Sequence, residues 1–332
     1  MDTALARLAP VLPPVRVASV FAAVSNVWFV ILWTRFVGTS DAPIDTPSWT
    51  SPALWLSLGA GALAASGLYA FGAGLNDVVD ARRDRYLSGE RAPRTPGGTT
   101  SVLACSLALI VSVLGASAFG VWGVRLTLVL ALLVIGFNLV GKYLPGLGLV
   151  LVALIYAGHM LVPNPHLAFL WPVWLVMTHA LGVSIAAHVI EGRLPRLSRR
   201  ARIAAGAGWV FWSIMIVLLG EHRNTGAIIG WPNELPLTLA LWPLGAVALF
   251  LLFIRTRLHT QQPRRKVADR VRRYGSLWLT LYATAWALGH AASGGSWTPV
   301  WVLGGWSLAA FVGMSMAREA FGLLDTPAGY RR

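Results

Sequence analysis

One cysteine, two lysines and thirteen acidic residues are all that 332 positions hold of those types. Each scarcity removes a class of chemistry. With Cys105 alone, and inside an apolar run, neither an intrachain disulfide nor a thiolate metal cluster can form, so cysteine redox chemistry is excluded. Charged residues make up 12% of the chain, against roughly 25% in an ordinary soluble domain. The longest polar segments run to about twenty residues, too short for a separate soluble domain. What is present is apolar: 56% hydrophobic residues and a mean hydropathy of +0.64. Such a chain is an integral membrane protein, expected as one polytopic domain over 1–332.

Crossing about 30 Å of hydrocarbon takes roughly 17–25 apolar residues. Runs of that kind lie near 15–36, 52–75, 101–119, 123–141, 146–163, 168–190, 203–220, 236–254, 275–292 and 297–317. They predict an all-α bundle of ten transmembrane helices. The first run is too long for the core of a signal peptide and lacks a small-residue cleavage site, so it is expected to remain as a span.

The net charge of +14 does not signify nucleic acid, because of where the charges fall. With the N-terminus inside, 24 Lys and Arg residues lie on inward segments and only Arg35, Arg125 and Arg223 on outward ones. That is the positive-inside pattern of a cytoplasmic-membrane protein. The basic excess serves orientation and attraction to anionic membrane lipids, most strongly in the segment 255–273. The long charged loops all fall inward, so the chemistry is expected there. The sixteen tryptophans crowd span ends, as in aromatic belts. His159 and His290, toward the outward face, are expected at the interface. Asn26 and Asn138 suit either an interhelical hydrogen bond or a place on a cavity wall, since polar groups within a span seldom face lipid.

One stretch departs from this apolar character. In "NDVVDARRDRYLSGERAPRTPGG", residues 76–98, three aspartates follow directly on a run without an ionised side chain. If the second span continues as a helix, Asp80 and Asp84 project at about 300° and 340° relative to Asp77. Three carboxylates then share a face about 60° wide, with Asn76 at its edge and Arg82, Arg83 and Arg85 projecting elsewhere. Like charges so placed call for a divalent cation, and hard oxygen ligands favour Mg²⁺ or Ca²⁺. An open carboxylate set beside a lipid-filled cavity suggests a diphosphate with a hydrophobic tail. Arg91 and Arg94, in the Pro- and Gly-broken segment that follows, have guanidinium forks suited to phosphate oxygens.

The pattern Asn-Asp-x-x-Asp-x-x-x-Asp, followed by Arg-x-x-Arg and a Pro-Gly turn, resembles the first aspartate-rich motif of the UbiA-type intramembrane prenyltransferases. The segment "NLVGKYLPGLGLVLVALIYAG", residues 138–158, is similar to that family's connection between spans four and five. The resemblance implies two four-helix halves around a central cavity. It also implies that Asp77, Asp80 and Asp84 hold Mg²⁺ beside Asn76, and that Arg91, Arg94 and Lys142 contact the diphosphate of a prenyl donor. The implied reaction is ionisation of the allylic C–O bond and capture of the prenyl cation by a lipophilic, often aromatic, acceptor.

The second aspartate-rich motif of that family is degenerate here. The corresponding stretch reads "HVIEGRLPRLS", within the loop segment 184–202, and only Glu191 keeps a carboxylate. Ser184, His188 and Glu191, at i, i+4 and i+7, form one polar helix face. Arg193 is a candidate to replace a missing cation's charge. Two expectations follow: a Mg²⁺-assisted prenyltransferase using Glu191 as well, or a non-catalytic isoprenoid-binding or transport protein on the same fold.

Overall fold

The computed structural model describes residues 14–37, 52–88, 98–192, 194–224, 229–258 and 263–325. Among them the chain forms ten α-helices: α1 (Pro14–Phe36), α2 (Leu54–Ser88), α3 (Gly98–Ser117), α4 (Gly120–Leu139), α5 (Pro145–Met160), α6 (Trp171–Glu191), α7 (Arg199–Arg223), α8 (Leu241–Leu258), α9 (Arg264–Ala292) and α10 (Thr298–Asp325). Eight are long and apolar enough to cross a membrane; the exceptions are α5, of 16 residues, and α9, whose first turns are charged.

Six of these helices close a ring: α1 packs on α2, α2 on α4, α4 on α5, α5 on α6, α6 on α9, and α9 back on α1. The first four-helix stretch supplies three of its members and the later chain the other three. Outside it, α3 leans on α2, α7 on α5, α8 on α9, and α10 on α1 and α9. The outer helices turn apolar side chains away from the protein: Phe211, Ile214 and Leu218 on α7, and Leu249, Leu251 and Leu252 on α8, are all more than half exposed. Lipid is the medium that such faces require.

Helix lengths explain the shape of one end. At 1.5 Å per residue the 35 residues of α2 extend about 52 Å, well beyond about 30 Å of hydrocarbon. The helix therefore carries the aspartates out through the rim. Helix α5 reaches only about 24 Å by the same measure. The expected span 146–163 is cut at Met160, ahead of Pro163 and Pro165. A 3-10 turn, Gly141–Tyr143, joins α4 to α5 and sets Lys142 into the rim. Much of the basic segment 255–273 is helical, not loop. Val267, Ala268 and Val271 bury one face of the start of α9 and leave its arginines on the others.

Helices α2 and α3 touch backbone to backbone. A Cβ on Gly67 would lie 2.7 Å from the Ala108 oxygen and the Ser112 nitrogen, and one on Gly115 would overlap Ala64 and Ala60. The Ser112 hydroxyl donates to the Ala64 carbonyl at 2.8 Å across this seam, while the lone Cys105 packs its sulfur over Gly74. Small residues that let backbones approach are the usual basis of helix association in lipid. Ser112→Ala is expected to lower stability by about 0.5–1 kcal/mol, and Gly115→Ala by about 1–3 kcal/mol through overpacking. Thermal unfolding in detergent micelles checks both values and their order.

The other end of the ring is filled by aromatic rings. Trp33 stacks on Phe169 at 5.0 Å, Phe169 meets Trp286 edge-on at 5.2 Å, and Phe29 lies 5.2 Å from Trp33. All four are at most 5% exposed. Trp33 and Trp286 thus depart from the belt expected of span-end tryptophans, whereas Trp55 and Trp301, at 70% and 74% exposure, keep to it.

Candidate functional site

The ring encloses two adjoining lobes, of about 290 and 430 Å³, which share Tyr69, Phe137, Val152, Tyr156 and Arg272 on their walls. Volumes of this size suit a small-molecule site. The first lobe is also lined by Lys142, Ser184 and His188, the second by Arg16, Asn76 and Asn138. The cavity therefore reaches the end of the bundle that carries the charges.

Helix α2 is continuous to Ser88, the condition under which Asp77, Asp80 and Asp84 share a face. Each of the first two meets a cation from another element. The Arg16 guanidinium, from α1, donates to Asp77 at 2.5 Å. The Lys142 ammonium donates to Asp80 at 2.9 Å, with side-chain exposures of only 6% and 15%. Asp84 lies on the same helix one turn further on, and its side chain is outside the described residues, as are Arg91, Arg94 and Arg193. The three own-helix arginines were expected to point away from the carboxylates; the neutralising charges come from across the bundle.

Helix α6 presents its polar face as the i, i+4, i+7 spacing expects. Ser184 and His188 line the first lobe. His188 Nε2 donates to the Pro195 carbonyl at 3.1 Å, since a carbonyl only accepts. Gly192, at φ +66°, ends the helix in the left-handed conformation that glycine adopts without steric cost. That leaves Glu191 as the last helical residue. Its carboxylate turns to α9, where Arg272 donates to it through Nη2 and, at 3.0 Å through Nη1, to Asp269. Glu191 and His188 thus have separate partners rather than each other.

Several residues of this cavity escaped sequence reasoning. Arg16 and Arg272 counted only among the inward basic residues, yet both stand on the wall. The available signal for Arg16 was an ionised group opening an apolar run, which is costly without a partner. A polar seam also crosses the first lobe: the Ser19 and Ser276 hydroxyls are 2.9 Å apart, and both hydrogen-bond Tyr156. His179 Nε2 donates to the Gly275 carbonyl at 2.8 Å, so its Nδ1 accepts from the Tyr282 hydroxyl at 3.1 Å. His159, expected at the interface, is buried on the wall of the second lobe, as is Asn138. Asn26 is 1% exposed and faces neither lipid nor water.

The donor set suits one hard divalent cation. Asn76, Asp77 and Asp80 offer oxygen ligands within about one helical turn, and one or two carboxylates completed by phosphate and water oxygens are the usual Mg²⁺ set. Toward a second cation α6 offers the single carboxylate of Glu191. Glu191 is ion-paired with Arg272, as Asp77 and Asp80 are with Arg16 and Lys142, and at neither place does a group of three His, Cys, Asp or Glu side chains gather among the described residues.

No protein-family model and no curated protein matches the chain. Among solved structures, one reported for digeranylgeranylglyceryl phosphate synthase in membranes is similar over 87% of this chain and 99% of its own, at 16% identity and a TM-score of 0.47.

Proposed function

We propose that this chain is a UbiA-type membrane prenyltransferase, which moves an isoprenoid chain from its diphosphate to a lipophilic acceptor, an aromatic ring among the candidates. One observation carries the reading: Asp77 and Asp80 stand one turn apart on α2, each opposed by a cation from another element, Arg16 or Lys142, that lines the cavity. The motif around them supports it. Apolar walls below the rim suit a hydrocarbon tail and keep water from a reactive carbon.

In this reading Asn76, Asp77 and Asp80, with Asp84 beyond them, would hold Mg²⁺, which would supply positive charge to the departing diphosphate. Lys142 spends one of three N–H bonds on Asp80 and offers the rest to phosphate oxygens. Arg91 and Arg94 are assigned to the same anion from their place in the motif. Tyr69 and Tyr156, on the wall common to both lobes, place aromatic side chains beside an allylic cation formed there. His188, on the wall of the first lobe, is assigned to take the proton released when the acceptor adds. The charged rim is assigned to the cytoplasmic face of the cell membrane, in contact with anionic lipid.

Purified protein with Mg²⁺ and labelled geranylgeranyl diphosphate, offered a panel of acceptors, is expected to release diphosphate. Chelation of Mg²⁺ or Asp77→Ala should reduce that release by at least about 10²-fold. A carrier on the same fold is favoured by the fact that both carboxylates are already neutralised by protein cations. Binding without release in this assay selects the carrier.

A further inference from the structure

We propose that Arg272 is an anion-binding residue at the junction of the two lobes, which meets the diphosphate where α6 offers a second divalent cation a single carboxylate, and that Glu191 holds this arginine in place. The proposal rests on the prenyl diphosphate reading above. Arg272 lines both lobes, whereas Lys142 lines only the first and Arg16 only the second. A group between the lobes, with a tail in one and an acceptor in the other, therefore meets Arg272 from either side.

The hydrogen-bond inventory leaves it free to act. A guanidinium carries five N–H donors. Asp269 takes one through Nη1 and Glu191 one through Nη2. Those two bonds hold the planar fork between α6 and α9 and leave three donors for phosphate oxygens, which such a fork matches in pairs. Arg16 and Lys142 pair with carboxylates of the proposed Mg²⁺ set and each line a single lobe, so Arg272 is the cation that both lobes share. The position of Glu191 is built for holding: Gly192 ends α6 directly after it, and the first turns of α9, packed by Val267, Ala268 and Val271, bring Arg272 to meet it.

A carboxylate that ligates metal and a carboxylate that positions an arginine respond differently to neutralisation. The test is calorimetric binding of geranylgeranyl S-thiolodiphosphate, which resists ionisation, to full-length protein in detergent across a Mg²⁺ series. Arg272→Ala is expected to weaken binding by roughly 10²-fold, and Arg272→Lys, which keeps the charge without the fork, to restore part of it. Glu191→Ala, which removes the acceptor, is expected to weaken binding about tenfold at an unchanged Mg²⁺ midpoint, and Glu191→Gln, whose amide oxygen still accepts from the guanidinium, to restore part of it. Wild-type affinity in Arg272→Ala overturns the proposal. So does a Mg²⁺ midpoint raised about tenfold or more in Glu191→Gln, which would make Glu191 a metal ligand. Absence of wild-type binding to this probe overturns the prenyl diphosphate reading itself, a result distinct from either.

Discussion

Lys142→Met is expected to destabilise the protein by about 3–5 kcal/mol, read as denaturant or thermal unfolding in detergent micelles. The ion pair it removes is the most enclosed at the site, with Lys142 and Asp80 at 6% and 15% side-chain exposure. Taking away the ammonium leaves a carboxylate in a low-dielectric wall with nothing opposite it, and the desolvation of that charge is then uncompensated. The double variant Asp80→Asn with Lys142→Met removes both charges and should recover most of the loss. Arg16→Met should behave differently. Its partner Asp77 is 38% exposed and its own side chain 29%, so water replaces much of what the arginine supplied. If both single variants cost the same, solvent reaches Asp80 as freely as Asp77, and the enclosed rim is not as described.

The second large effect is expected at a glycine. A Cβ on Gly148 would overlap the carbonyl oxygen of Gly141, which is backbone and has no side-chain rotation to escape by. The segment between them is tightly wound: the Leu144 amide donates to the Gly141 carbonyl at 3.2 Å and the Gly148 amide to the Leu144 carbonyl at 2.8 Å. Lys142 rides on this turn. Gly148→Ala should push the turn away from α5 and draw the ammonium off Asp80, and displacement of about 1 Å at a reacting centre lowers rates by around 10²-fold. Diphosphate release is the readout for that loss, and reduced thermal stability should accompany it. Gly136→Ala on α4 serves as the comparison, since its Cβ would meet nothing within 4 Å. That variant should be neutral or stabilised by up to about 1 kcal/mol.

The sequence reveals some parts of this structure because their causes are local. Apolar runs must be helical in lipid, where each backbone polar group needs a partner within its own segment, so the helices could be located as apolar runs, eight of them long and apolar enough to cross a membrane. The helical wheel likewise assigned Asp77 and Asp80 to one face before any partner was known. What opposes those carboxylates was not legible. Arg16 is 61 positions from Asp77 and Arg272 is 81 from Glu191, and no periodicity reports such pairings. Trp33 and Trp286 illustrate a different limit: a tryptophan at a span end reads the same whether it faces headgroups or the ring interior. Helix α5 shows a third, since the apolar run continues past the turn at which the helix stops.

The aromatic packing of Phe29, Trp33, Phe169 and Trp286 has a consequence for traffic. Neither lobe includes any of these rings on its walls, and the chain lies between the cavity and the opposite membrane face. Among the described residues these rings thus close the sac at one end. A molecule admitted at the charged rim meets that packed end, and returns by the rim or slips sideways between helices into the bilayer. A lipid tail longer than the sac is deep must bend or pass sideways into the surrounding lipid, and the depth of the sac then limits how much of the tail is held by protein.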